Sequence, residues 1–156
     1  MPLTFTADLQ TNPIQPDVQS RRQLAPGLAI HPSPIHGQGC FAAIPLARGT
    51  RIADYEGESI SWDEAMRRRR RGLGHCICDL EDGTCIDGRF GGNGTEYLNH
   101  SCTPNCGLLL AQGRLTIYAL RNIAPGTELT VNYLSSLELV EIPCQCPTCL
   151  AKTNRR

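Results

Sequence analysis

The chain predicts a mainly β protein with few short helices, built as one domain, and three observations carry that expectation. Fifteen Gly and eleven Pro interrupt a sequence of 156 residues too often for long helices. Short apolar or β-branched runs recur along the chain, each closed by Pro or Gly. Only one segment has both a helical apolar stripe and a helix start signal.

Taken in order, residues 1–26 are rich in Pro, Gln, Thr and Asn and read as a tail that cannot bury enough surface to order itself. Strand-like runs begin at Leu28 with LAIHP, and continue through GCFAAI and TRIADYEG. The helix starts at Ser61, where Ser61-Trp62-Asp63-Glu64 forms a capping box and Trp62, Ala65 and Met66 give an apolar stripe. It should end near Gly72, which makes 61–72 a helical insert. Arg67 to Arg71 fall in its last turns, where cations complement the helix dipole. Five more runs follow: HCICDL, GTCIDG, GLLLA, RLTIYAL and ELTVNYL. In RLTIYAL, Leu115, Ile117 and Ala119 alternate with Arg114, Thr116 and Tyr118, the period of a half-buried strand.

Charge narrows the function classes. Fifteen Lys plus Arg balance fifteen Asp plus Glu, so no whole-molecule field draws the chain to nucleic acid or an anionic membrane. A nucleic-acid contact would have to be local, and Arg67–Arg71 is the segment able to make one, although such a run is also an ordinary solvated helix face. No stretch reaches the roughly 18 consecutive apolar residues of a membrane span, and the first twenty residues lack the basic-then-apolar order of a signal peptide. An intracellular protein is expected, cytoplasmic in a bacterium, nuclear or chromosomal in a eukaryote.

Nine cysteines is an odd and high count that suits a reducing compartment. Cys144-Gln-Cys146-Pro-Thr-Cys149 puts three thiols within six residues, close enough for one loop to wrap a tetrahedral zinc ion. Cys102 or Cys106, both in NHSCTPNC, can provide the fourth thiolate. Four thiolates leave no open position for water, so the zinc would be structural. Cys76 and Cys78 lie on one face of a probable strand with Cys85 in the next, either as buried thiols or as a second metal site.

The order of motifs then becomes informative. His36-Gly37-Gln38-Gly39-Cys40-Phe41 precedes Tyr55-Glu-Gly-Glu58, then Asn99-His-Ser-Cys-Thr-Pro-Asn105, then Gly126-Thr-Glu-Leu-Thr-Val-Asn-Tyr133, then the cysteine cluster. This resembles the SET-domain protein lysine methyltransferase family with a shortened post-SET segment, over about residues 28–150, and is similar in size to free-standing bacterial-type members. The resemblance implies a fold of small β-sheets with a C-terminal pseudoknot near Asn99 and Tyr133. It divides the chain into a tail at 1–26, a SET domain at 27–135 and a zinc-bound post-SET loop and C-terminal tail at 136–156.

For the site, the resemblance implies S-adenosylmethionine held by Gly37, Gln38, Gly39, Cys40, Tyr97, Asn99 and His100. It implies catalysis by Tyr133 and a lysine channel lined by Tyr55 and Tyr118. It also selects Cys102 to join Cys144, Cys146 and Cys149 as zinc ligands. The substrate would be a histone or another protein carrying the target lysine. Three positions depart from the family pattern. Cys76 stands where relatives often carry tyrosine, Val131 where they carry Phe or Tyr, and Glu96 where an arginine often precedes the NHSC segment. Those departures admit a second reading, a weak or inactive SET module that binds peptide or serves as a scaffold.

Overall fold

Ser33 closes the first hairpin in the computed structural model, which describes residues 23–133 together with 146, 149 and 150. Strand β1 (Leu28–Pro32) pairs antiparallel with β2 (Gln38–Ala42), from Leu28 opposite Ala42 to Pro32 opposite Gln38. Between them, the Ser33 hydroxyl accepts the N–H of Ile35 at 2.9 Å and Ser33 N–H donates to Gly37 O at 2.8 Å. Gly37 completes the turn at φ +49°, a conformation open to glycine at little steric cost.

Strand β3 (Arg51–Asp54) leads to β4 (Glu58–Ser61) and directly into α1 (Trp62–Arg70). The Ser61 hydroxyl caps α1 by accepting the Glu64 N–H at 3.2 Å, as the capping box predicts. At the other end Leu73 N–H donates to Arg68 O at 2.9 Å, and Gly72 takes a left-handed φ of +73° that ends the helix. Of the predicted apolar stripe only Ala65 is buried and Met66 partly so. Trp62 is exposed, with the Arg69 guanidinium 5.8 Å from its ring centre, so its indole faces a cation and not the core.

Next come β5 (Ile77–Asp79), β6 (Thr84–Asp87), a 3-10 turn (Thr95–Tyr97), β7 (Asn99–His100), β8 (Cys106–Ala111), β9 (Arg114–Ala119) and β10 (Thr130–Val131). They complete two three-stranded antiparallel sheets, β3-β9-β8 and β4-β6-β5. The β8–β9 turn is Gln112-Gly113, both at positive φ, the two-residue geometry that matches strand twist. The alternation read from RLTIYAL holds: Leu115, Ile117 and Ala119 are buried in the main core. Ile117 and Leu129 have no exposed surface, and burial of such side chains stabilises by about 1.5–3 kcal/mol each.

Under α1 lies a second, smaller core of Ile60, Ala65, Ile77 and Cys85. It is fastened by Asp87 at the end of β6, a fully buried carboxylate that accepts from Arg68 Nη1 at 2.8 Å and from Arg89 Nε at 3.0 Å. Arg68 also reaches Glu58 at 2.7 Å and Glu64 at 2.8 Å, so one guanidinium ties the helix to two strands of its sheet. Each of these groups is satisfied, the condition on which a buried charge is tolerated.

The fourth pairing joins distant parts of the chain. Strands β7 and β10 run parallel, Thr130 opposite Asn99 and Val131 opposite His100. Asn105 holds this junction by donating its amide to Glu128 O at 2.8 Å and accepting the Thr130 N–H at 2.8 Å. Residues assigned to the tail by composition also take part: Ala25 N–H donates to Asn93 O at 2.8 Å. Among the described residues no helix is long and apolar enough to cross a membrane.

Candidate active site and cysteine cluster

Asn99 gathers the first part of the site. Its side-chain amide donates to Glu128 Oε1 at 2.8 Å, Gln38 O at 3.1 Å and His36 O at 3.2 Å, drawing the β1–β2 turn onto β7. Glu128 Oε1 accepts a second bond from the Ser33 hydroxyl at 2.7 Å. A side chain added at Gly39 would collide with that same carboxylate oxygen, whereas at Gly37 it would meet nothing within 4 Å. The turn is therefore packed on one side and opens on the other to free space, where a ligand can lie along its backbone.

Three of the residues assigned to cofactor binding, Gly37, Gln38 and Asn99, meet in this turn, with Gly39 behind it. Cys40 does not face the opening. Strand alternation turns its side chain fully into the core and its carbonyl accepts the Leu129 N–H at 2.7 Å. Burial pushes its thiol up to about 12, with Cys106, Glu96 and Glu128 adding to the effect, so it stays neutral. Tyr97 packs half-buried against the main core.

His100, next along β7, reaches in two directions. Its Nδ1 accepts the backbone N–H of Tyr133 at 3.1 Å and its Nε2 lies 3.4 Å from Cys102 Sγ. An imidazole that accepts at Nδ1 carries its proton on Nε2, so these bonds assign the tautomer that donates toward the thiol. Burial lowers its pKa, which favours that neutral form.

Two tyrosine hydroxyls are held by main-chain carbonyls. The Tyr133 hydroxyl donates to Leu98 O, and the Tyr55 hydroxyl donates to Cys76 O at 2.8 Å. Burial raises both phenols above their ordinary value, and the nearby thiols Cys76 and Cys78 act on each in the same direction. Both remain protonated donors.

Tyr118 is not brought to this pair. It lies on the face of β9 that turns away from the main core, packed over Gly107, where no larger residue would fit. Glu128 and the carbonyl of Leu98 join the site without a sequence expectation. Glu128 belongs to the ELTVNY run, so its signal was present, but its partners lie 29 and 95 residues away in sequence.

Beyond His100 lies the cysteine cluster. The Sγ atoms of Cys102, Cys146 and Cys149 all fall within 4.8 Å of one another, with Cys102 and Cys149 3.3 Å apart. Cys144 lies outside the described residues. Cys106, the alternative fourth ligand, is buried beside Asn105 Oδ1 at 3.4 Å, and burial raises its thiol to about 12. Three converging thiols fit the donor set of a structural zinc ion. Cys76, Cys78 and Cys85 do not converge in this way among the described residues.

A turn fastened to an Asn-His strand, a tyrosine carried back to that strand by a parallel pairing and an adjoining cluster of three thiols thus meet in one small β-rich module. The chain belongs to the SET domain family, whose pattern matches residues 37–134.

Among similar proteins is the histone-lysine N-methyltransferase trithorax of Drosophila virilis, 33% identical over 127 residues, covering 76% of this chain and 3% of the relative. The H3 lysine-4 specific histone-lysine N-methyltransferase of Schizosaccharomyces pombe is 34% identical over 138 residues, covering 81% of this chain and 15% of the relative. The solved structure of a humanized mutant of the Chaetomium thermophilum Polycomb Repressive Complex 2 is similar with a TM-score of 0.62 at 28% identity, over 71% of this chain and 15% of that one. The chain thus spans only a small part of the proteins it resembles.

Proposed function

We propose that this chain transfers a methyl group from S-adenosylmethionine to the ε-amine of a lysine in a protein substrate. The observation that carries this reading is the β7–β10 pairing, which sets Tyr133 beside the Asn99-His100 strand. When bound, S-adenosylmethionine supplies an electrophilic methyl carried on a sulfonium. Gly37, Gln38 and Gly39 would hold it through their backbone, with Asn99 and His100 beside them.

The chain's own residues have a definite task, because a lysine ammonium cannot attack and with a pKa near ~10.4 only about one amine in a thousand is free at neutral pH. Desolvation of the amine beside the buried Tyr55 would disfavour the charged form. Tyr55 and Tyr133 each spend their proton on a carbonyl, so their oxygens are left as acceptors that can orient amine N–H groups. Holding nucleophile and methyl in line can account for roughly 7–11 kcal/mol of barrier reduction in favourable cases.

Cys102, Cys146 and Cys149, with Cys144, would bind one structural zinc that fastens the C-terminal loop beside His100. The relatives are named for histone lysine, so core histones are the first substrates to try, and in a eukaryotic source the site of action would be chromatin. The reading is tested by incubating the protein with labelled S-adenosylmethionine and core histones, followed by mass spectrometry of the modified lysine. Tyr133→Phe should lose most methyl transfer while calorimetry detects nearly unchanged cofactor binding. Wild-type turnover by that variant would remove Tyr133 from its role.

A further inference from the structure

The cationic end of α1 is only partly neutralised. Its acidic neighbours are already engaged: Glu58 and Asp87 by Arg68, Glu64 by Arg67 and Arg68, and Asp87 again by Arg89. Arg69 lies over Trp62 and donates to Ile77 O at 3.2 Å. Arg70 and Arg71 are exposed and close no ion pair among the described residues. Exposed Leu73 and His75 follow them.

This edge is fixed relative to the tyrosine pair. The Arg69 bond to Ile77 O pins the helix end to β5, and Gly74 lies so close to the Arg69 side chain that any Cβ there would collide with it. Five residues after Arg71 comes Cys76, whose carbonyl receives the Tyr55 hydroxyl. Extended chain spans at most about 3.3–3.6 Å per residue, so a side chain within roughly five positions of a lysine at the tyrosine pair can reach the arginines.

We propose that Arg70 and Arg71 select target lysines that lie in acidic sequence, by pairing with carboxylates flanking the modified residue. The proposal rests on the methyl-transfer reading. It ranks the substrates that reading admits, placing a lysine in acidic sequence, one in an acidic stretch of a core histone included, ahead of a lysine in a strongly basic segment. Arginine suits the task because its planar fork matches a carboxylate with two parallel bonds. It is also no methyl acceptor for a lysine-directed site.

The test uses the whole chain and two peptides with a single lysine, one with Asp or Glu three to five positions away and one with Arg at the same positions. Methyl transfer and peptide binding by fluorescence anisotropy are measured for wild type and for the double variant Arg70→Glu, Arg71→Glu. Wild type should favour the acidic peptide by about three- to tenfold in both measurements, the range expected of two exposed ion pairs, and the preference should shrink at high salt. The double variant should lose or invert it while binding S-adenosylmethionine as wild type does. Transfer to both peptides without preference would overturn the inference and leave the proposed function intact. An acidic binding preference without any transfer would uphold the acidic docking and defeat the proposed function. Tight, salt-dependent binding of duplex DNA that displaces the acidic peptide would assign the arginines to nucleic acid and overturn the inference.

Discussion

The backbone N–H of Tyr133 donates to Nδ1 of His100 at 3.1 Å, across 33 residues of sequence, while the other ring nitrogen lies 3.4 Å from Cys102. One imidazole thus touches both the candidate catalytic residue and the candidate metal site. His100→Ala should release the Tyr133 backbone and lower kcat for methyl transfer by at least about tenfold, since small displacements of positioned groups are that costly. Steady-state kinetics would check it, and an unchanged kcat would show that Tyr133 is held without the imidazole.

Removal of metal should be felt through the same contact. One zinc per chain is expected by metal analysis, lost in Cys102→Ser and retained in Cys106→Ser, because Cys102 alone of the two meets Cys146 and Cys149. Chelation should expose these thiols to a thiol reagent and lower the melting temperature. Retention of zinc by Cys102→Ser would refute the ligand assignment.

Asp87 gives the fold a definite acid limit. Burial alone would raise its pKa, but hydrogen bonds from Arg89 and Arg68 outweigh that and hold it below its ordinary 3.8. A carboxylate whose folded pKa is depressed contributes stability that is fully present above its unfolded pKa and is lost as pH falls through the folded value. Stability should therefore decline below about pH 4, and Asp87→Asn should cost roughly 3 kcal/mol at neutral pH and flatten that decline. Urea unfolding of both proteins between pH 2.5 and 7 would measure it; parallel curves would acquit Asp87.

Two glycines of one turn should respond differently to alanine. At Gly39 the added methyl strikes Glu128 Oε1, which must move and disturb its bonds to Asn99 and Ser33, so calorimetry should find S-adenosylmethionine binding strongly weakened. At Gly37 the methyl meets no protein atom but enters the space left to the ligand, so cofactor binding should weaken there as well, while the fold loses only about 1 kcal/mol to the left-handed backbone. Urea unfolding separates the two, and equal losses of stability would mean that steric contact with Glu128 is not what sets Gly39 apart.

The sequence by itself determined what neighbours along the chain can decide. The helix from Ser61 follows from its capping box and the buried face of β9 from alternation. The candidate site was readable as far as its motifs, because each lies within a few residues. The tertiary structure decided which members of those motifs meet. It sent Cys102 to the cysteine cluster and Cys106 into the core, turned Cys40 inward, set Tyr118 over Gly107 away from Tyr55, and gave Glu128 its partners. Local propensity acts over a few residues, whereas the contacts of Glu128 close loops of 29 and 95 residues whose ends meet only when separate sheets pack on one core.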